Sequence, residues 1–482
     1  MAFTISGNAG AELKPVALPN EVSHIKYDQG RITWPTQSDN GAQDGGNIKV
    51  EEIILVAEVS DGGYLILTLS QGEQDGEEPF RLSAFLARSL PQELLGPFIL
   101  KSAPAALKVD EESSLDVIIS VRSGTGQPQK FYDAVLQPLL RLLGVEDGSY
   151  GAIFTKDANS VKEYAQERWG DKSHTKAGAT SKQETVILLS GDGGVVDLLN
   201  GSTEPTKEGT LPTVALIPLG TGNALFHSLH KPHYAKTEPP APSHLVLALR
   251  ALLGGRAAPL PTFQASFSDG AHLVDESTGP SSSSSAGVSQ LTGAIVASYG
   301  FHSQLVWESD TPAYRKHGDK RFGMVAQELL KESHAYDATV ETGPPSSSSS
   351  SRPLGTARFS YVLATMVSNL EKTFTISPDS KPLDGQLRLV HFGDVGGEKT
   401  MEIMMAAYNN GSHVGMKWTT EEGEEQGVGY EAVEEVKVTT SEADARWRKV
   451  CIDGTIVELP QGGSMTVKKS PEARLQVLVL DA

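Results

Sequence analysis

Three short apolar segments in the first half of the sequence each run directly into a turn that contains glycine. The segments are Leu115–Ser120, Thr185–Ser190 and Val214–Pro218. The turns that follow them are Ser123-Gly124-Thr125-Gly126, Gly191-Asp192-Gly193-Gly194 and Gly220-Thr221-Gly222-Asn223. Apolar runs of this length, bounded by glycine and separated by helical patterns, are typical of buried strands in a parallel sheet. Because the carboxyl ends of parallel strands meet at one edge of a sheet, we expect the three turns to converge.

The segment between the first two strands has the periodicity of an amphipathic helix. Phe131, Val135, Leu139 and Leu143 recur at intervals of four, and Gly144 follows as a stop signal. Residues 114–260 are therefore predicted to form an α/β domain, a parallel sheet with crossover helices. Glycine at a strand end lets backbone N–H groups approach a phosphate, and the next helix N-terminus adds partial positive charge. The pattern predicts a nucleotide-binding domain.

Composition divides the rest of the chain into three further segments. Residues 1–47 are rich in Gly, Asn, Asp and Gln, which predicts a flexible tail. Residues 48–110 alternate strand-like runs with turns, which predicts a β-rich N-terminal module with some similarity to a pleckstrin-homology fold. Residues 261–482 contain further β-type runs and are predicted to form a second, β-rich domain. Three polar insertions are expected there: Ser281–Ser285, Ser346–Ser351 and Glu421–Glu425.

Charge and cysteine content exclude several classes of protein. The net charge of −19 disfavours sequence-independent binding to nucleic acid, and any contact with an anionic membrane must come from a local patch. The single cysteine, Cys451, rules out an internal disulfide and suits a reducing compartment. The longest apolar stretches, such as Leu245–Leu253, are much shorter than the ~20 residues that span a bilayer, and the N-terminus lacks the features of a secretory signal. We expect a cytoplasmic protein without a transmembrane segment.

Three histidines recur at intervals of three residues, which raises the question of a zinc site. His227, His230 and His233 have no accompanying carboxylate or cysteine pattern. A polar loop is the expected structure, and no metal ligands are assigned from the sequence.

Several motifs resemble the diacylglycerol kinase catalytic domain and its relatives. The second turn, followed by Asp197, Asn200 and Gly201, resembles the Gly-Asp-Gly signature of that domain, and the third turn resembles its second glycine signature. The first turn takes the place of the family's first nucleotide loop. A downstream block resembles sphingosine and ceramide kinases: Tyr299-Gly300-Phe301, Glu308-Ser309, Tyr314-Arg315-Lys316, Gly318, Arg321-Phe322, Asp384-Gly385 and Asp453-Gly454. The resemblance extends from about residue 114 to the C-terminus.

The resemblance implies a lipid kinase that uses ATP and Mg²⁺, with ATP in a cleft and a β-sandwich that binds the lipid. It implies that Asp192 is the general base, or the carboxylate that organises the metal and the attacking hydroxyl. Arg315 and Arg321 would reach the ATP phosphates, where fixed cations stabilise the transferring group. Asp453 would support the nucleotide or metal side of the cleft. The residues implied to bind ATP are Ser123, Gly124, Thr125, Gly126, Gly191, Gly193, Gly194, Gly220, Thr221, Gly222, Asn223, Arg315, Arg321 and Asp453.

Some positions depart from the family pattern. The first loop usually opens with Asn-Pro and here reads Ser120-Val121, and Asp197 stands where Glu is typical. Thr455 follows the last Asp-Gly, where Glu is usual. These departures leave open the alternative of a catalytically inactive protein with a lipid-binding or regulatory role. An NAD kinase shares the Gly-Asp-Gly turn but not the block from Glu308 to Phe322.

The lipid acceptor depends on two positions in this block. Sphingosine kinases place acidic residues shortly after Gly-Phe, where a carboxylate can hold the ammonium of the lipid, and here Gln304 and Val306 occupy those positions. Gln304 can hydrogen-bond an amine but cannot neutralise its charge. If residues 301–308 form a helix, Gln304 and Glu308 share a face, and Glu308 could supply the counter-charge. The leading acceptor is the primary hydroxyl of a sphingoid base, presented by peripheral membrane contact, and diacylglycerol or ceramide is the alternative.

Overall fold

A computed structural model of the chain gives the fold. It describes residues 3–4, 12–13, 20–35, 45–59, 62–72, 78–170, 182–202, 211–234, 240–274, 287–318, 320–343, 351–420 and 423–481. The tract Ser281–Ser285 lies outside these residues, as do residues 346–350 of the second serine tract and residues 421–422 of the acidic stretch.

The N-terminal module consists of short strands and a helix. They are β1 (Phe3–Thr4), β2 (Glu12–Leu13), β3 (Asn20–Val22), β4 (Lys26–Asp28), β5 (Arg31–Pro35), β6 (Gly45–Lys49), β7 (Ile53–Glu58), β8 (Tyr64–Gln71), β9 (Phe80–Ala87) and α1 (Gln92–Phe98). One sheet has the order β3-β9-β8-β7 and another the order β4-β5-β6. The predicted tail up to residue 47 does not hold for residues 20–35, because strands β3–β5 pair within these sheets.

The α/β domain follows in the predicted place. Its elements are β10 (Ser113–Ile119), α2 (Pro128–Phe131), α3 (Gln137–Leu142), β11 (Gly151–Phe154), α4 (Ser160–Trp169), β12 (Gln183–Ser190), α5 (Asp192–Gly201), β13 (Thr213–Pro218), α6 (Ala224–Leu229), α7 (Lys231–Tyr234), α8 (His244–Gly254) and β14 (Arg256–Pro259). A π-helical turn, Tyr132–Leu136, joins α2 to α3 and makes them one continuous helix, as the apolar periodicity predicts.

The C-terminal region is rich in strands. Its elements are β15 (Phe263–Phe267), β16 (His272–Leu273), β17 (Gln290–Gly293), β18 (Val296–Gly300), α9 (Phe301–Ser309), α10 (Pro312–Arg315), α11 (Lys320–Glu332), β19 (Tyr336–Gly343), β20 (Arg352–Pro353), β21 (Arg358–Thr365), β22 (Arg388–Gly393), α12 (Gly396–Tyr408), β23 (Lys417–Thr419), β24 (Glu425–Gly427), β25 (Gly429–Ala432), β26 (Glu435–Thr440), β27 (Lys449–Ile452), β28 (Thr455–Glu458), β29 (Ser464–Lys469) and β30 (Gln476–Val479). The main path of strands runs β16-β28-β27-β18-β21-β19-β26-β29-β15-β17. The prediction of a β-rich region is confirmed, while its role as a lipid-binding sandwich stays a prediction.

The sheet of the α/β domain is mostly parallel, as predicted, and has the order β11-β10-β12-β13-β30-β14. Strand β30 comes from the C-terminal end of the chain and pairs in parallel with β13. Strand β14 completes the sheet in the antiparallel direction. The chain therefore leaves the α/β domain, builds the β-rich region, and returns to place β30 between β13 and β14 in the sheet of the α/β domain.

Two apolar cores hold this arrangement together. The N-terminal module contributes Ile54 and Leu67 to a core that it shares with Leu245 and Leu249 of helix α8. The second core joins helices α5 and α6 to the loop before β18. Helices α5 and α6, which follow the second and third glycine turns, thus lie between the parallel sheet and the β-rich region. Among the helices of the described residues, none is long and apolar enough to cross a bilayer.

Candidate active site

The three glycine turns touch one another at the carboxyl edge of the parallel sheet. The hydroxyl oxygen of Ser123 accepts a hydrogen bond of 2.9 Å from the backbone N–H of Gly191. A Cβ atom on Gly220 would lie 2.3 Å from the Cα of Gly191, and one on Gly124 would lie 2.6 Å from the carbonyl oxygen of Leu219. These gaps admit only glycine, since no backbone atom can withdraw that far. The predicted convergence of the three turns is present in the fold.

Asn223 closes the third turn from within. It has a left-handed backbone conformation with φ 50°, and its Oδ1 accepts a 3.0 Å hydrogen bond from the N–H of Gly220. Its Nδ2 donates to the carbonyl oxygen of Gly220 at 3.1 Å. Only 6% of Asn223 is exposed. The side chain that the resemblance assigns to ATP binding therefore shapes the loop.

The edge formed by these turns presents free backbone donors. Within the described part of the chain, the N–H groups of Gly124, Thr125, Thr221 and Gly222 have no hydrogen-bond acceptor. A Cβ atom added to Gly193 would meet nothing within 4 Å. Free amides around an open space, next to the N-terminus of helix α5, are the features that bind phosphate oxygens. The residues present fit the triphosphate of ATP.

Asp192 links the second turn to the third. Its Oδ2 accepts a 2.7 Å hydrogen bond from the N–H of Ala224, and its Oδ1 accepts one of 3.1 Å from the N–H of Leu225. These amides are the first of helix α6, so the carboxylate caps that helix. Burial raises the pKa of Asp192, and the two N–H donors oppose this increase. The candidate base is thus fixed in position and is more basic than an exposed aspartate.

Asp453 is bound to the protein backbone. Its carboxylate accepts hydrogen bonds of 2.6 Å from Ala294, 3.1 Å from Ile295 and 2.6 Å from Val296. Burial raises its pKa to about 7, and the negative charge of Asp192 adds to this effect. The Asp-Gly turn that the sequence indicates is present, but the carboxylate holds the loop before β18. A direct contact of Asp453 with ATP would require these hydrogen bonds to open.

Arg315 and Arg321 share one carboxylate, that of Asp310. Arg315 donates two hydrogen bonds to Asp310, of 2.8 and 2.6 Å, and Arg321 donates one of 2.8 Å. The segment between the arginines lies against the first turn, because a Cβ atom on Gly318 would be 3.7 Å from Cγ2 of Thr125. The segment that joins the two arginines therefore lies beside the first turn. Sequence reasoning missed Asp310, although an acid five residues before an arginine was a usable signal.

Helix α9 brings Gln304 and Glu308 together, as expected for a helix over these residues. Gln304 is 1% exposed, and its Nε2 donates to Oε1 of Glu308 at 2.6 Å. The same oxygen accepts hydrogen bonds from Nε and Nη2 of Arg446, at 3.2 and 2.9 Å. Glu308 is therefore already paired within the fold, and its role as the counter-charge of a lipid ammonium stays a prediction. Arg446 lies far along the sequence and has no motif around it, so only the fold reveals the contact.

Two of the three spaced histidines lie on helices, His227 on α6 and His233 on α7, and His230 lies in the turn between them; the sequence predicted a loop here. Nδ1 of His227 is 3.2 Å from the hydroxyl of Tyr234, and Nδ1 of His230 is 3.1 Å from the carbonyl oxygen of Phe226. Burial lowers the pKa of His227 to about 3 and that of His230 to about 4. The described residues contain no group of three His, Cys, Asp or Glu side chains that could hold a metal ion.

The departures from the family pattern leave the loops in place. The N–H of Val121, which a proline would lack, donates to Oγ1 of Thr155 at 3.1 Å. Ser120 donates its N–H to the carbonyl oxygen of Leu189 at 3.0 Å. Asp197 lies in helix α5, and burial raises its pKa to about 7 against the opposing charge of Lys162. Ser120 and Val121 thus contribute hydrogen bonds that support the first turn.

Comparisons with known proteins point to one family. Residues 114–261 match the model of the diacylglycerol kinase catalytic domain. A search of curated proteins finds no match. The chain is similar in structure to a diacylglycerol kinase from Bacillus anthracis str. Sterne, with 13% identity, 77% of this chain and 98% of that chain covered, and a TM-score of 0.44. Two further structures from that organism share 14% identity and TM-scores of 0.45, and cover 77% of this chain and 98% and 99% of their own.

The family match covers the segment from β10 to the end of β14, which holds all three glycine turns. The resemblance predicted from the motifs is therefore confirmed: residues 114–261 have the sequence pattern of a diacylglycerol kinase catalytic domain.

Proposed function

We propose that this protein is an ATP-dependent lipid kinase that transfers the γ-phosphoryl group to a primary hydroxyl of a lipid. One observation supports this most strongly: three mutually touching glycine turns surround Asp192 and expose free amides. The segment that joins Arg315 and Arg321 lies beside the first of these turns. Phosphoryl transfer depends mainly on positioning and on fixed positive charge, and this arrangement supplies both.

Each group has a proposed role in the transfer. The free amides and the arginines hold the phosphates of ATP, and the raised pKa of Asp192 suits it to take the proton of the attacking hydroxyl. Mg²⁺ needs only one or two carboxylates when phosphates supply its other ligands. Among the described residues, Asp192 is the carboxylate that we propose as such a ligand of Mg²⁺.

Two classes of lipid are candidates for the acceptor. A sphingoid base follows from the resemblance to sphingosine kinases. A neutral lipid, diacylglycerol or ceramide, is favoured by the hydrogen bonds of Glu308 to Gln304 and Arg446, because the carboxylate that could pair with an ammonium is already paired with a guanidinium. We propose a cytoplasmic protein that meets its acceptor by peripheral membrane contact.

The alternative to this proposal is a catalytically inactive lipid-binding protein. A measurement of ATP binding is the first test that distinguishes a kinase from such a protein. A ligand that binds the native state raises the melting temperature by mass action. We expect ATP with Mg²⁺ to stabilise the wild type. Gly193→Ala should weaken this stabilisation, because the new methyl group meets no protein atom within 4 Å and can obstruct only the nucleotide.

Gly254→Ala is the matched control, since a Cβ atom there also meets nothing within 4 Å and helix α8 lies outside the three turns. It should respond to ATP like the wild type. Stabilisation by ATP without any lipid phosphorylation would support the inactive protein. Equal responses of wild type and Gly193→Ala would place the nucleotide elsewhere.

A further inference from the structure

A charged cluster surrounds the C-terminal half of helix α9. Arg446 donates to Oε1 of Glu308 and also binds both carboxylate oxygens of Glu332, each at 2.9 Å. Its guanidinium lies 4.2 Å from the ring centroid of Trp447. One cation thus joins two helices, α9 and α11, and contacts three side chains, those of Glu308, Glu332 and Trp447. Its position is fixed.

A small cavity is linked to this cluster through Trp447. Its volume is about 20 Å³, and its walls include Phe301, Leu329, Tyr336 and Trp447. Trp447 is therefore shared, because its ring forms part of the cavity wall and also packs against Arg446. The walls of the cavity come from α9, α11, β19 and α12.

From this geometry we infer that Arg446 determines acceptor specificity by occupying the carboxylate that a cationic lipid would need. This inference rests on the proposed function and on Gln304 and Glu308 as acceptor-binding residues. An ammonium entering beside Glu308 would meet a guanidinium already bound to Oε1 of that carboxylate. Two cations at one carboxylate repel each other, and a buried cation without a partner is costly. A neutral hydroxyl or amide meets no such penalty.

The test is the ratio of kcat/KM for sphingosine to that for ceramide, both presented in neutral mixed micelles. Wild type should favour ceramide. Arg446→Gln should raise the ratio about tenfold or more, since it frees Glu308 to pair with the ammonium. The double variant Arg446→Gln with Glu308→Gln should return the ratio towards the wild-type value, because it removes the carboxylate as well.

Arg352→Gln is the matched control. It also removes one positive charge from the β-rich C-terminal region. Arg352, however, pairs with Glu431, and its side chain is 72% exposed. Its ratio should equal that of the wild type. Melting temperatures of all variants establish that they are folded.

The outcomes separate the inference from the function on which it rests. An unchanged ratio in active Arg446→Gln overturns the role of Arg446 and leaves the lipid kinase intact. A wild type that prefers sphingosine overturns it too. If no variant phosphorylates any lipid, the proposed function fails, and the inference fails with it.

Discussion

At the scale of single residues, Asp192 carries two demands at once. It must take a proton in the proposed reaction, and it caps helix α6 through hydrogen bonds to Ala224 and Leu225. Burial raises its pKa, which serves the first demand, while the amide donors keep it in place for the second. A single carboxylate therefore couples the chemistry to the contact between the second and third turns.

Asp192→Asn separates these demands. The amide keeps one acceptor oxygen, so it loses one backbone hydrogen bond, and we expect a loss of about 1–2 kcal/mol in unfolding free energy. Turnover should fall by roughly 10²-fold or more, the scale of a lost general base. Denaturant unfolding and steady-state kinetics measure the two effects. Full turnover in the folded variant would remove Asp192 from the chemistry.

Arg321 gives a second prediction at this scale. Its side chain is 16% exposed and donates to Asp310, so its position is fixed. Arg321→Ala should raise the KM for ATP by about tenfold or more and leave the KM for the lipid nearly unchanged. Arg352→Ala, at an exposed pair, is the control. Wild-type KM and kcat for ATP in Arg321→Ala would make this arginine a surface charge.

At the scale of elements, the sequence predicted local structure well and distant partners poorly. Local apolar patterns predict the strands that run into the glycine turns, the helix over residues 128–142 and the parallel sheet. They do not predict that β30 lies between β13 and β14, because strand order depends on packing across the whole chain. The same limit hid Arg446, whose contact with Glu308 spans distant elements, and the hydrogen bonds by which Asn223 and Asp453 hold backbone loops.

Buried histidines make the stability of helices α6, α7 and α8 depend on pH. His227 contacts Tyr234 and faces His244, and burial lowers the pKa of His227 to about 3 and of His244 to about 4. The charge of Lys372 adds to both shifts. The folded state holds these rings neutral while the unfolded state protonates them below pH ~6.5, so stability is complete above that pH and is lost as the pH falls.

His227→Gln should therefore reduce the pH dependence of stability. Between pH 6.5 and 5.5, one such histidine costs roughly 1 kcal/mol of unfolding free energy. Urea unfolding at several pH values, for the wild type and the variant, measures the slopes. Identical slopes would show that His227 does not contribute.

At the scale of the whole molecule, the segment that matches the family model is not a free-standing unit. Its helix α8 is covered by the N-terminal module, and Arg250 of that helix donates to the carbonyl oxygens of Ile53 at 2.8 Å and Val50 at 3.3 Å. Its sheet needs β30 from the C-terminal end. The α/β domain therefore depends on contacts with both the N-terminal module and the C-terminal strand β30.

Arg250→Met tests this dependence. It keeps the apolar stem and removes the donors to the module, so it should cost roughly 1–3 kcal/mol of unfolding free energy. Arg88→Met is the control, because its side chain is 86% exposed and surface changes usually stay within about 0.5 kcal/mol. Denaturant unfolding compares them. Equal stabilities would mean that the module is only loosely attached.

The central claim is that the three glycine turns and Asp192 transfer phosphate from ATP to a lipid. The most direct measurement incubates the full-length protein with γ-labelled ATP, Mg²⁺ and sphingosine, phytosphingosine, ceramide or diacylglycerol, and then separates the lipids. Our account predicts a labelled lipid phosphate from at least one acceptor, with ceramide or diacylglycerol labelled more than sphingosine. The absence of label in every lipid, from a protein that ATP still stabilises, would contradict it.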